Sequence, residues 1–401
     1  MKINRRNFLK GALTTLFLTG LNLPAISQSN NKKNLIIITL RGGMDGMLAI
    51  PSLGDKNFES LRPNLIFDNH FKLNSDFSLH SKLSEFYELW KIEKSSFVHA
   101  TSTFHKDGQH WEAQNLMENG GLFPFKESTG WLGRAMELKG LDTNMLYRNS
   151  DMPLLLRGKH VKDFYYPTID YYPNRNVFKQ LTASYKDNNE IELNEILKII
   201  DNREKYPFRS KFSPFKSRFT LQNHEDYLKN FNDHTLHLAK KAALLMKEKE
   251  GPRVAVFEIE GFDAHRSYEK HWHSTDGLSK INTIVKELRK GLKKEFDNTL
   301  ILTMTEFGRT VKENEESGTD HGWASAILMA GGLIKKSQVL SDWPGLSSKD
   351  LYADTKLKST INSRSIYASA ISNVFDLDFD IIRKKIFWDK DLVDYSSKLF
   401  V

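Results

Sequence analysis

Three stretches of the chain set carboxylates, imidazoles and glycines beside one another where a short apolar run ends: Arg41–Gly46 (RGGMDG), Gly261–His265 (GFDAH) and Thr303–Gly322 (TMTEFGRTVKENEESGTDHG). Asp263 and His265 stand two apart, so in a turn both side chains can reach one cation. A hard carboxylate oxygen beside an imidazole nitrogen suits zinc, manganese or iron better than calcium. Asp45, Asp263, His265, Glu306 and His321 together offer five ligands, enough for two cations about 4 Å apart. Asp320, next to His321, is a further metal candidate or the partner that fixes the ring's tautomer. Two cations can clamp an ester oxygen, stabilise charge on a transferring phosphoryl group and lower the pKa of water to near 7. The plainer alternatives are that Asp45 caps the turn it starts, and that Asp263 and His265 are a turn aspartate and a surface histidine.

A fourth stretch, Thr101–Gly120 (TSTFHKDGQHWEAQNLMENG), brings His105 and His110 into a glycine-containing loop. Either ring can bind substrate, donate to a developing oxyanion or ligate a metal. Arg309 follows Glu306 by three residues and can grip an anionic oxygen with two N–H groups, or pair with a neighbouring carboxylate. The candidate catalytic set is therefore His105, His110 and Arg309. The candidate metal set is Asp45, Asp263, His265, Glu306, Asp320 and His321. His234 and His237, three apart in a helical pattern, read as a surface pair, and His271 and His273 are weaker candidates.

These residues need strands behind them. Asn34–Leu40, Ser96–Ala100, Arg253–Ile259, Thr299–Met304 and Ala324–Met329 are short apolar runs of the kind buried in a parallel sheet, and Asp151–Arg157 is a further candidate. Helical spacing marks Leu79–Trp90, Trp111–Met117, Phe219–Lys249, Thr275–Phe296 and Arg364–Val374. In Thr275–Phe296 the apolar face is Leu278, Ile281, Ile284, Val285, Leu288 and Leu292. Strand, helix and strand in alternation argue for an α/β fold with a mostly parallel sheet and helices on both faces. Open sheets of this kind place sites at the C-terminal ends of their strands, where these motifs stand.

Composition narrows the partners. The hydrophobic share of 39% in 401 residues supports an ordinary core. The formal charge is +8, and no run of Lys and Arg interleaved with aromatics suggests nucleic acid. With no cysteine, disulfides and zinc thiolate sites are excluded, so any metal rests on carboxylate and imidazole. The N-terminus reads as an export signal: Arg5-Arg6-Asn7-Phe8-Leu9-Lys10, an uncharged stretch Gly11–Leu23 too short for a stable membrane span, and a small-x-small site ending at Ser27. It resembles a twin-arginine signal, with Asn4 where Ser or Thr is usual, which implies the twin-arginine export machinery as a partner and a periplasmic or secreted protein. The mature chain then spans 28–401 as one domain, and its irregular, aromatic stretch at about 161–219 is either a substrate-side lid or a packed surface loop.

LRGGMDG, FHKDGQHWEAQ, GFDAH, TEFGRT and GTDHGW, in this order behind that signal, resemble the DUF1501 family over roughly residues 34–375. The resemblance implies a place with the alkaline phosphatase and sulfatase superfamily and a three-layer α/β/α sandwich, alkaline phosphatase-like. Carried over by motif, it implies that Asp45 and Glu306 hold one metal while Asp263, His265 and His321 hold the other. Two positions depart from the pattern. Gln109 precedes His110 where family members often have serine, with Thr101, Ser102 and Thr103 nearby, whereas the superfamily usually has a Ser, Thr or modified nucleophile after the second strand. Phe307 follows Glu306 where the wider superfamily commonly has histidine. The expected function is an exported hydrolase of phosphate or sulfate esters using one or two divalent ions, zinc or manganese, on an anionic small-molecule or polymer substrate. The alternative is a non-catalytic exported metal-binding protein of the same fold with a binding or assembly role at the cell surface.

Overall fold

Seven consecutive buried residues, Asn34–Leu40, form β1, because a β-branched run with no polar face is stable only with layers on both sides. The computed structural model describes residues 33–65, 69–141, 145–146, 153–158, 236, 238–248, 251–266 and 274–401. The export signal, the stretch 161–219, and His234, His237, His271 and His273 lie outside these residues.

The remaining strands are β2 (His70–Lys72), β3 (Ser78–His80), β4 (Ser95–Ser102), β5 (Met145–Leu146), β6 (Val254–Ile259), β7 (Thr299–Thr305), β8 (Ser325–Ala330), β9 (Val339–Leu340) and β10 (Ile361–Asn362). The main sheet runs β10–β4–β8–β7–β1–β6–β5, with β9 also paired to β4, while β2 and β3 form a separate hairpin. β1 is parallel to both β6 and β7, and β5 is parallel to β6. β8 is antiparallel to both β7 and β4, so it is the reversed strand in an otherwise parallel set. That reversal brings the start of β8 to the edge where its neighbours end.

Helices cover both faces. They are α1 (Ser84–Trp90), α2 (His110–Asn119), α3 (Trp131–Lys139), α4 (Ser274–Leu292), α5 (Ser363–Phe375) and α6 (Phe379–Lys385). Alternation along β1 divides the core: Leu35 and Ile37 pack with Trp131, Leu132 and Ile371 of α3 and α5. Ile36, Ile38 and Leu40 face the other way, onto Phe86 and Leu89 of α1 and onto α4. All six residues expected on the apolar face of α4 are buried there, each burial being worth about 1.5–3 kcal/mol. The result is the expected three-layer α/β/α fold with a mostly parallel sheet.

Two local expectations are corrected. Leu79 starts no helix; it lies in β3, and a single 3-10 turn at Ser81–Leu83 leads into α1. Leu154–Leu156 is a 3-10 turn and not a strand. Both are short apolar runs, whose spacing alone does not separate strand from turn. Of the helix expected over Phe219–Lys249, residues 238–246 are helical, with Ala239, Ala242, Ala243 and Met246 buried. No helix among the described residues is long and apolar enough to cross a membrane.

Candidate metal centre

Paired β1, β6 and β7 end level with one another, Leu40 facing both Ile259 and Thr305. The segments after them start at one edge: Gly42 after β1, Asp263 and His265 after β6, Glu306 after β7. Two further segments reach the same edge. The loop after β4 delivers His110 as the first residue of α2. The segment 308–310 runs against 320–323, with Gly322 N donating to Gly308 O at 2.8 Å and Thr310 N to Asp320 O at 2.9 Å, and it carries His321 in just before β8.

The close approach depends on glycine at two points. A Cβ on Gly42, whose φ is +113°, would sit 2.3 Å from Asp263 N, so no larger residue fits between β1 and the Asp263 turn. Gly108, with φ of +69°, lies against His321 and offers its carbonyl to that ring.

A neutral imidazole donates from one nitrogen and accepts at the other. His321 Nδ1 is 2.8 Å from the Gly108 carbonyl oxygen, an acceptor only, so its proton belongs on Nδ1. His265 Nδ1 is 2.8 Å from Asp320 Oδ1, and His110 Nδ1 is 3.1 Å from Glu306 Oε1, with the same consequence. Each neutral ring then turns an Nε2 lone pair outward, and those of His110 and His265 each meet that of His321. His321 Nε2 is 3.1 Å from His110 Nε2 and 3.2 Å from His265 Nε2. Asp263 Oδ1 lies 3.0 Å from both His321 Nε2 and His265 Nε2, and its Oδ2 lies 3.4 Å from His110 Nε2. Electron-rich atoms set this close without a proton between them repel one another, and a cation in their midst reverses that.

The donor set fits a divalent ion. Ligands about 2.0–2.1 Å from a tetrahedral zinc stand about 3.3–3.4 Å apart, close to the spacings here. His110, Asp263 and His321 have ligand atoms within 4.8 Å of one another. Protons compete for the same lone pairs. The hydrogen bond to Glu306 raises the proton affinity of His110, with the Glu306 and Asp263 charges adding to it, against burial and Arg309. Burial pushes the Asp263 carboxyl up, but its contacts with His321 and with the Arg309 guanidinium outweigh it and hold the group well below the usual carboxylate range.

The structure sorts the expected residues into different parts. Asp263, His265, His321 and His110 converge, so His110 joins the ligand cluster. Glu306 is fully buried and accepts from Gly42 N at 2.8 Å, Gln114 Nε2 at 2.9 Å and His110. Burial pushes its carboxyl up, but the bonds from His110 and Gln114 win and keep it ionised below its ordinary value. Its place is behind the His110 ring, as that of Asp320 is behind His265. Asp45 follows the capping alternative: it is buried, caps the one-turn helix Gly46–Ala49 through Met47 N and Leu48 N, and its Oδ2 takes a 2.7 Å bond from Arg62 Nη1. Arg62 is itself buried and also donates to Val311 O and Thr310 O.

Arg309 takes the second of its two expected roles and pairs with a neighbouring carboxylate. It is buried, and its guanidinium is spent on Asp263 Oδ1 at 2.9 Å, Gly42 O at 3.3 Å and both oxygens of Thr319. His105 is not at this cluster; it lies with Asp107 and Glu112. Phe307, at the position where histidine was noted as common, is buried with its ring centroid 4.8 Å from that of His110 and 4.9 Å from that of His321, an apolar floor that fixes both rings. Gln114 and the Gly108 carbonyl were not foreseen. The i, i+4 spacing of His110 and Gln114 on one helix face was the readable signal for the first.

The fold and this edge define an α/β/α protein with a three-histidine, one-aspartate cluster at its strand ends. Residues 223–386 match the model of the family described as "Protein of unknown function (DUF1501)", confirming over that stretch the resemblance carried by the motifs. No curated protein matches the chain in sequence. Solved structures similar to it include the C-terminal periplasmic domain of EcEptC from Escherichia coli in complex with zinc, at 8% identity, covering 91% of this chain and 89% of that one with a TM-score of 0.41. Murine ectonucleotide pyrophosphatase/phosphodiesterase 5 is 9% identical, with 86% and 96% covered and a TM-score of 0.38. The PsFucS1 sulfatase from Pseudoalteromonas sp. is 14% identical, with 100% and 78% covered and a TM-score of 0.39.

Proposed function

We propose that this protein is an exported metal-dependent hydrolase of phosphate or sulfate esters, built around one divalent ion, zinc or manganese, held by His110, Asp263, His265 and His321 with a fifth position open to water or substrate. The observation that supports it is the convergence of three Nε2 atoms whose Nδ1 protons are each claimed by an acceptor behind them. Glu306, Asp320 and the Gly108 carbonyl hold the rings in the ligating tautomer. Arg309 holds Asp263 through Oδ1, which also faces His321 and His265, while Oδ2 faces His110. The ion and its direct ligands, one carboxylate and three neutral imidazoles, carry net positive charge, so an anionic group is the favoured guest at the open position. The ion would supply Lewis-acid polarisation of an ester oxygen and a source of nucleophilic water at neutral pH. The test is hydrolysis of an aryl phosphate, a bis-aryl phosphodiester and an aryl sulfate by the mature protein loaded with zinc or manganese. Turnover lost in His321→Ala is expected; no cleavage of any of the three by either loaded form would overturn the enzymatic reading.

A second reading, a non-catalytic exported metal-binding protein, draws on the internal use of both guanidiniums. Arg309 and Arg62 are spent on Asp263 and Asp45, and Asp45 is tied into a helix cap instead of a second metal. On that reading the loaded protein binds the ion and turns over none of the three substrates.

A further inference from the structure

The loop between β4 and α2 faces two ways. His110 and Glu112 are two positions apart on the first turn of α2, which at 3.6 residues per turn separates them by about 200° around the helix. His110 points to the cluster described above, so Glu112 cannot. It meets His105 and Asp107 instead, and the three offer ligand atoms within 4.8 Å of one another. Glu112 Oε2 is 3.7 Å from His105 Nε2, too long for a hydrogen bond but within the reach of two ligands of one ion. Most telling is His105 itself. Its side chain is 9% exposed, and its Nε2 is buried with no hydrogen-bond partner while facing Glu112. A buried polar atom left unpaired costs about 1–3 kcal/mol, so this nitrogen needs an occupant beside it. Lys106, between the two, does not supply one: its ammonium lies 4.5 Å from the Trp323 ring centroid and 4.8 Å from that of Tyr352, held over both rings.

We propose that His105, Asp107 and Glu112 form a second divalent-cation site, separate from the three-histidine cluster. One imidazole and two carboxylates suit zinc or manganese, with open positions filled by water. A cation there ties Asp107 and Glu112 across the loop 107–110. That loop includes Gly108, whose carbonyl orients His321, and His110, a member of the other cluster. The second site therefore fixes the loop from its outer side and pre-organises the first, whether or not the first catalyses anything.

The experiment is equilibrium titration of metal-free protein with zinc, and separately with manganese, followed by metal analysis after gel filtration. The wild type is compared with the double variant Asp107→Asn/Glu112→Gln, which changes only exposed or half-exposed side chains, and with His321→Ala. The expected result is loss of one equivalent in the double variant. In His321→Ala the equivalent held by Asp107 and Glu112 remains, and metal addition still slows amide exchange over residues 104–110. An unchanged metal content in the double variant overturns the second site. Loss in the double variant with none in His321→Ala leaves the second site standing and removes the three-histidine centre.

Discussion

Two aspartates at the same sheet edge have opposite fates. Asp45 follows β1 and Asp263 follows β6, and both were candidate metal ligands by type and position. Around Asp45 the chain provides every counter-charge itself: two backbone N–H groups cap one oxygen and the buried Arg62 takes the other. Around Asp263 it provides Arg309 at one oxygen, shared with the His321 and His265 lone pairs, and the His110 lone pair at the other. The difference teaches that a carboxylate at a strand end is available to a cation only where the fold leaves its charge incompletely answered. Glu306, like Asp45, is occupied by protein donors.

The comparison can be broken most forcefully at Arg62. Removing one partner of a buried ion pair costs about 3–5 kcal/mol, so Arg62→Ala should lower the unfolding free energy by that amount in chemical denaturation. A loss under about 1 kcal/mol would mean that Asp45 is not held as described. The next test uses imidazoles whose surroundings are closed. His99 accepts from Ala100 N and approaches Ile50 O, and burial pushes its pKa down to about 4; burial does the same to His80, also to about 4. In the unfolded chain these rings take up protons near pH 6.5. Their contribution is therefore full above that pH and is lost as pH falls from 6.5 towards 4, by about 1.4 kcal/mol per unit for each ring. Denaturation curves across this range should show that slope, and His99→Gln should reduce it by one ring's share.

Much of the fold was legible because its signals are local. β1 is a continuous, largely apolar run rich in β-branched residues, and the face of α4 repeats at helical spacing, so both stand where the pattern put them. The direction of β8 was not legible, since an apolar run reads the same in a parallel or a reversed strand, yet that reversal is what brings His321 to the edge. At the site, the turn Gly261–His265 and His321 could be read as neighbours of one centre from their motifs. The exchange of roles among acids could not. Asp45 loses its place to Arg62, 17 residues on, and Glu306 is claimed by Gln114 and His110 from a different helix. Such pairings depend on which side chains the finished sheet brings together.

Smaller effects sharpen the picture. Asp320 sits behind His265 and fixes its tautomer, so Asp320→Asn should weaken zinc binding by about 10–100-fold without unfolding the protein. An unchanged zinc affinity by competition with a chromophoric chelator would remove Asp320 from the centre. The exposed pair Arg266–Glu316, next in sequence to His265, is the control. Arg266→Ala should change stability by at most about 1 kcal/mol and leave metal affinity alone.

The most direct measurement is the metal content of folded wild type, His321→Ala and Asp45→Asn after saturation with zinc and removal of excess ion. His321→Ala should hold one equivalent fewer than the wild type, while Asp45→Asn holds as many. One equivalent missing from Asp45→Asn, with His321→Ala intact, would contradict the assignment and place the ion on the other side of β1.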